Sequence, residues 1–371
     1  MINKTLWLIQ TSYFCLNEAS TMTENKNIKM TELSQLGEFG LIQKLTGKIL
    51  LKNSETIKGV GDDAAVLFFP EEQIVVTNDL LIEGIHFNLA YVPLKHLGYK
   101  AAIVNISDVL AMNAIPRQLI VSFAVSNRFG VEALEELYDG IKAACDYYHV
   151  DLVGGDTTSS PKGLFLSVSA IGGAKKENIV YRKGAGKNDI LCVTGTLGAA
   201  YMGLQLLERE NKIFLSDPKI QPQLEGYDYI LQRQLRPEAR IDLIRFFRDK
   251  KIIPTSMIDI SDGLSSETIH LCNNSGVGCN IFEDKIPIAD ETVQVANEFG
   301  IEPLMCALNG GEDYELLFSV KPSDYEKIID NPEISVIGHF TGENDGFRIV
   351  MQNGSSLDLS PKGWNSFDGI K

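Results

Sequence analysis

The 371-residue chain has no apolar run close to the roughly 20 residues that a membrane-spanning helix needs. It has no CxxC pair: its six cysteines (Cys15, Cys145, Cys192, Cys272, Cys279 and Cys306) are dispersed, a pattern of free thiols in a reducing cytosol rather than of a disulfide framework or a zinc site. Positive charge is scarce. With 34 Lys and Arg against 49 Asp and Glu, the formal charge is −15, which excludes a nucleic-acid binder built on clustered cations. Neither a GxxxxGK[ST] loop nor a GxGxxG fingerprint is present, so P-loop and Rossmann readings lose ground. Short-period repeats and low-complexity tracts are also missing. What is present is ordinary globular composition, 44% hydrophobic and 22% charged, and chain enough for two domains.

The N-terminus carries two apolar patches, Leu6 to Ile9 and Tyr13 to Leu16, after a single early Lys4, and Gln10, Thr11 and Ser12 interrupt them. That is a poor secretory signal. Residues 1–30 are expected to be an extension outside the fold, with Met22 and Met30 as alternative starts. From Thr31, apolar spacing predicts a helix through Leu41, Ile42 and Leu45 to Gly47. A glycine turn at Gly59 to Gly61 then feeds a strand to Phe68, and Ile74 to Asp79 forms a β-branched strand ending in a carboxylate. Small and apolar residues predict a helix from Pro93 to Ala114, stopped by Pro116, with a strand from Leu119 to Val125. A helix over Leu134 to Tyr148 and strands over Leu152 to Asp156 and Leu164 to Ile171 complete a first unit, 31–178.

The glycine- and lysine-rich stretch from Gly172 to Lys187 marks a boundary, and the pattern restarts in a second unit, 179–371. There, Asp189 to Thr194 reads as a strand, Gly198 to Glu208 as a helix, and Asn211 to Tyr229 as a loop or lid. A helix is expected over Glu238 to Phe247, opened by Pro237. Ser261 and Asp262 are expected to cap a helix that ends at Gly276. Strands and helices with hairpin-like returns indicate an α+β or α/β two-domain protein rather than a clean Rossmann repeat.

The chemistry gathers at acidic junctions: Gly61-Asp62-Asp63, Thr77-Asn78-Asp79, Asn105-Ile106-Ser107-Asp108, Gly154-Gly155-Asp156, Asp259-Ile260-Ser261-Asp262-Gly263, and Asn309-Gly310-Gly311-Glu312-Asp313. Taken singly, an Asp after a strand is a cap or turn residue. Together these acids need a cation, because carboxylates held close repel unless protonated or neutralised. Oxygen donors without His or Cys point to Mg²⁺, which shares its shell with phosphate oxygens and water. An acidic protein can therefore hold an anionic nucleotide through bridging metal ions. The glycine pairs add room for close backbone approach to a ligand. Asn105 and Asp108 share a helix face with Ala101 and Ala111; a buried carboxylate there is either functional or part of an internal salt bridge.

These motifs, with Gly84-Ile85-His86-Phe87, Thr157-Thr158 and Tyr314-Glu315-Leu316 beside them, resemble the thiamine-monophosphate kinase family in the same order from about Glu32 to Asp368. The resemblance implies the architecture shared with aminoimidazole ribonucleotide synthetase, whose N-terminal sheets pair across a homodimer. It implies metal positions at Asp63, Thr77, Asn78, Asp79, Asp108, Asp156, Asp259 and Asp262. It implies ATP contacts at Tyr138, Gly155, Asp156, Arg182 and Ser261, and thiamine monophosphate contacts at His86, Glu312 and Trp364. Asn78 departs from the family's usual Thr or Ser, which leaves side chain or backbone carbonyl as that ligand. Trp364 is alternatively a tail aromatic pinning the C-terminus. The implied reaction is Mg²⁺-assisted in-line transfer of the ATP γ-phosphate to thiamine monophosphate in the cytoplasm. It needs no protein nucleophile, and no nucleic-acid or membrane partner. Two alternatives stay open: another ATP-using enzyme of the same superfamily, and a non-catalytic nucleotide-binding subunit.

Overall fold

A computed structural model describes residues 31–61 and 64–360. The expectations placed on residues 1–30, Asp63 and Trp364 lie outside the described residues. In chain order the helices and strands are α1 (Leu33–Thr46), β1 (Thr56–Lys58), β2 (Val66–Leu67), β3 (Gln73–Ile82), α2 (Leu94–Ala111), β4 (Ile115–Val125), α3 (Val131–Tyr148), β5 (Asp151–Ser159) and β6 (Leu164–Ala174). Then follow β7 (Ile190–Thr194), α4 (Ala199–Ser216), α5 (Asp228–Leu235), α6 (Ile241–Lys250), β8 (Ser256–Asp259), α7 (Leu264–Ser275), β9 (Gly278–Phe282), α8 (Asp290–Glu298) and α9 (Pro303–Asn309). The chain closes with β10 (Leu316–Val320), α10 (Tyr325–Ile328), β11 (Ile334–Thr341), β12 (Phe347–Val350) and β13 (Ser356–Asp358).

Alternation along β3 decides how the first sheet sits. Val75, Thr77, Asp79 and Leu81 are drawn in under the helices, while Ile74, Val76, Asn78 and Leu80 face outward. The four strands run in the order β3-β6-β4-β5. Helices α2 and α3 cover one face, and two glycines let them meet: a Cβ on Gly98 would lie 2.0 Å from the Leu137 carbonyl, and one on Gly140 1.8 Å from that of Lys95. The other face leaves Ile74, Val76 and Leu80 exposed.

The second sheet has seven strands, β13-β12-β9-β11-β7-β10-β8, antiparallel except where β12 runs parallel to β9. One apolar core spans both sheets, carrying Tyr148, Leu119 and Ile103 together with Phe247, Met257 and Phe318. The Tyr148 hydroxyl accepts the Ala239 N–H at 2.8 Å and donates to its carbonyl at 3.2 Å, so the buried phenol is satisfied across the join. Among the described residues no helix is long and apolar enough to cross a membrane. Cys145, Cys192, Cys272, Cys279 and Cys306 are buried free thiols.

Several boundaries differ from the sequence pattern. Pro116 does not merely end a helix; it lies inside β4, beside a register shift against β6 that relieves the ladder of the missing N–H. Helix α4 continues through Ser216, so only residues 217–227 connect it to α5. The buried side of α4 includes Leu206 and Leu207 and also Glu210, whose carboxylate is held by Arg209 at 2.9 Å and by the Gln223 N–H at 2.8 Å. Helix α6 starts at Ile241, three residues after the expected Glu238. Helix α7 is entered through Gly263 at φ 119°, with no side-chain cap from Ser261 or Asp262.

Candidate active site

Helix α2 is the spine of the site. Its Asn105 side-chain oxygen accepts the backbone N–H of Asp79 at 3.1 Å. Its Asp108 Oδ2 accepts the Thr77 hydroxyl at 2.6 Å, and its Ser107 hydroxyl donates to Asp259 Oδ2 at 2.6 Å. One helix thus draws together carboxylates from β3, from itself and from β8 of the other sheet.

Electrostatics register the crowding. Burial, reinforced by the Asp108 charge, pushes Asp79 up to about 6. Burial, again with Asp108, pushes Asp259 up to about 7, although the Ser107 hydrogen bond and Arg182 pull the other way. Asp108 is also raised by burial, against the Thr77 hydrogen bond and Arg182. Asp79 Oδ2 is buried and has no hydrogen-bond partner. Tyr314, buried alongside, is pushed well above its ordinary range by burial and by the charges of Glu312, Asp259, Asp79 and Asp108. Asp262, half-buried, is raised by burial and feels Arg182 as a counter-charge.

Arg182 is exposed, and its field reaches Asp108, Asp259 and Asp262. The 309–315 segment is zipped onto the end of β8: Glu312 N–H donates to the Ser261 carbonyl at 2.8 Å and Tyr314 N–H to that of Ile260 at 2.9 Å. Glu312 sits in the left-handed region at φ 58°, with one carboxylate oxygen 2.8 Å from Lys100 Nζ and the other accepting Gln234 Nε2 at 2.9 Å. His86 is exposed; burial of part of its ring lowers it, and the Glu312 charge opposes that shift. Its Nδ1 accepts the Ile82 N–H at 3.1 Å.

Other expected residues lie elsewhere. Asn78 points to the opposite face of β3 from Thr77 and Asp79, where its amide donates to Ser169 Oγ at 2.8 Å and the Val168 carbonyl at 3.0 Å. Asp156 is on β5, at the far edge of the four-stranded sheet from β3 and in register with Ser122, hence on Asn78's face and apart from the three clustered carboxylates. Gly155 packs against β4 at Val121. Tyr138 is 5% exposed, in the core under α3 and edge-on to Phe123 at 5.9 Å.

Among the described residues no group of three or more acids, His or Cys closes to metal-holding spacing. The donor set nevertheless suits Mg²⁺: clustered carboxylates, one hydroxyl, no thiolate or imidazole, and a buried carboxylate oxygen without a partner. Four residues escaped the sequence reading. Ser107 stood within a motif already singled out. Lys100, a lone charge between Tyr99 and Ala101 on a buried helix, was the visible anomaly. Glu267, buried and pushed up to about 8 by burial, accepts the Asp262 N–H at 3.0 Å one turn into α7. Gln234 carried no signal.

The fold is that of the aminoimidazole ribonucleotide synthetase type, and residues 61–174 match the family model "AIR synthase related protein, N-terminal domain". The thiamine-monophosphate kinase of Aquifex aeolicus (strain VF5) is 35% identical over 336 residues, covering 90% of this chain and 99% of that protein. More narrowly, then, the chain belongs to the thiamine-monophosphate kinase family, and it is a kinase. The solved structure of AaThiL complexed with AMPPCP and TMP is 32% identical, with a TM-score of 0.69 over 91% of this chain and 99% of that one. Thiamine-monophosphate kinase from Stenotrophomonas maltophilia K279a is 29% identical with a TM-score of 0.73, covering 88% of this chain and 98% of its own.

Proposed function

We propose that this protein transfers the γ-phosphate of ATP directly to thiamine monophosphate, yielding thiamine diphosphate and ADP, the last step in making that cofactor. The observation that carries the reading is the convergence of Asp79, Asp108 and Asp259 on one helix, beside a single arginine. The complex of a relative with AMPPCP and TMP supports the pair of substrates.

The acceptor is a phosphate monoester whose second pKa is about 6, so its oxygen is already ionised and no protein base is required. The barrier is the meeting of two anions, and positioning together with charge neutralisation lowers it. Asp79, Asp108, Asp259 and Asp262 would hold Mg²⁺, with Asp63 and Thr77 as further positions by resemblance; Asn78 and Asp156, on the opposite face of the sheet, do not join them. When bound, the metal would supply positive charge that offsets the repulsion between the two phosphate anions. Thr77 and Ser107 fix the Asp108 and Asp259 carboxylates, and Asn105 holds the backbone of Asp79. By resemblance Arg182 and Ser261 would serve ATP, and His86, Glu312 and Trp364 the acceptor, whereas Gly155 and Tyr138 are taken up by packing. The division at 178 and 179 separates the two units, with the site where they meet.

The outward face of the first sheet supports a homodimer: Ile74, Val76 and Leu80 are each at least 51% exposed along one strand. A second copy covering that face would also bury Asn78 and Asp156. The buried free thiols fit a cytoplasmic protein. Incubation with ATP, Mg²⁺ and thiamine monophosphate tests the reaction. Product formation supports it, ATP hydrolysis alone favours another member of the superfamily, and ATP binding without turnover favours a nucleotide-binding subunit. An Asp108→Asn variant that folds yet keeps near-normal turnover at limiting Mg²⁺ would sink the shared-metal mechanism.

A further inference from the structure

The Lys100–Glu312 pair is odd for a site meant to receive a cation. By resemblance Glu312 contacts thiamine monophosphate, whose thiazolium ring is a cation, yet a buried ammonium already stands 2.8 Å from the Glu312 carboxylate. Lys100 is only 7% exposed and Gln234 only 5%, so both donors belong to the fixed framework rather than to the solvent rim. Each takes one carboxylate oxygen, and Lys100 also donates to the Gln234 backbone carbonyl at 3.2 Å, which ties α2 to α5. Glu312 itself retains 32% side-chain exposure, so its outer side stays open to solvent. A carboxylate has about four lone-pair sites, and two donors leave the remainder free.

We infer that Lys100, assisted by Gln234, is a positioning residue that holds the Glu312 carboxylate at a fixed angle for the cationic ring of the acceptor; this rests on the reaction proposed above. The geometry of α2 makes the role specific. Lys100 and Asp108 are eight residues apart on it, about 12 Å along the axis. One helix therefore sets both ends of the acceptor site, the carboxylate that meets the cation and the carboxylates that meet the phosphate. Lys100 also brings the Glu312 pair close to neutral, so orientation rather than bulk attraction is what Glu312 offers.

That distinction gives opposite signs. If Glu312 acted only through net charge, removing Lys100 would unmask it and tighten binding of the acceptor. If Lys100 positions it, Lys100→Met loosens the carboxylate and raises KM for thiamine monophosphate on the order of tenfold, the factor for one charge-assisted hydrogen bond. KM for ATP and kcat should stay within about twofold. Gln234→Leu, which keeps the volume and drops the amide, should move the same constant in the same direction. The decisive comparison is made in a Glu312→Gln background, where Lys100→Met should add little further increase; a merely structural lysine would keep its full effect there. A lowered or unchanged KM for the acceptor in folded Lys100→Met overturns the inference. So does a kcat loss at constant KM, which would place the lysine on the transferred phosphoryl group, or an undiminished effect in the Glu312→Gln background. Wild-type protein run alongside separates the two levels: absence of product there overturns the reaction itself, whereas product from wild type with the wrong variant pattern overturns only the role of Lys100.

Discussion

Asp259→Asn should make the metal-free protein more stable, by an amount that grows with pH. Asp259 is 4% exposed, and burial together with the Asp108 charge moves it from 3.8 to about 7. Because the folded value is raised, the ionised carboxylate opposes folding. The penalty is absent below pH 3.8, builds as pH rises and is complete above about 7. The displacement corresponds to about 4 kcal/mol at pH 8 and about 2 kcal/mol at pH 5. An amide has nearly the same shape and still accepts the Ser107 hydroxyl, so the substitution removes charge with little change in packing. Urea unfolding in EDTA, wild type against variant, should show a difference in the variant's favour that widens by about 2 kcal/mol from pH 5 to pH 8. Adding Mg²⁺ at pH 8 should then stabilise the wild type more than the variant, because the cation relieves a repulsion the variant lacks. A variant no more stable than wild type at pH 8, or a difference constant between pH 5 and 8, would refute the idea that these acids are crowded and unneutralised.

Arg240→Met should destabilise the fold by about 3 kcal/mol in denaturant unfolding, because it takes one of two guanidinium partners from Glu315, which is 1% exposed. Gly155→Ala should cost about 3 kcal/mol, since its Cβ would fall 1.9 Å from the Val121 carbonyl, whereas Gly154→Ala, with nothing within 4 Å, should fall within about 0.5 kcal/mol of wild type; thermal unfolding of the pair checks the contrast. Val76→Asp should turn a wild-type dimer into a monomer by sedimentation velocity, because it puts a charge on a residue 64% exposed on the proposed pairing face; an unchanged mass contradicts that face.

Much of the candidate site could be read along the chain because its chemistry is local. An Asp that follows a β-branched strand, or sits three residues from an Asn on a helix of small residues, announces itself within a few positions. Period-two alternation also separates Asn78 from Thr77 and Asp79 without any coordinates. Errors arose where local pattern and packing disagree. The stretch from Asn211 looked like a loop, but residues up to Ser216 continue α4, because Glu210 is buried against Arg209 and the Gln223 N–H and carries the helix on. Pro116 looked like a stop and is a strand residue, because a register shift accommodates its missing N–H.

The amino-acid order by itself settled the family, the alternation of strands and helices and the inventory of acids, since each depends on residue type and short-range spacing. Only the tertiary fold decided which acids meet. Ser107 reaches Asp259 across 152 positions, and Lys100 pairs with Glu312 from the far end of the same helix. It also set Asp156 on the other face of the sheet, at its opposite edge from β3. Such pairings follow from how helices and sheets stack, and the energy of a buried charge depends on what surrounds it in space rather than in sequence.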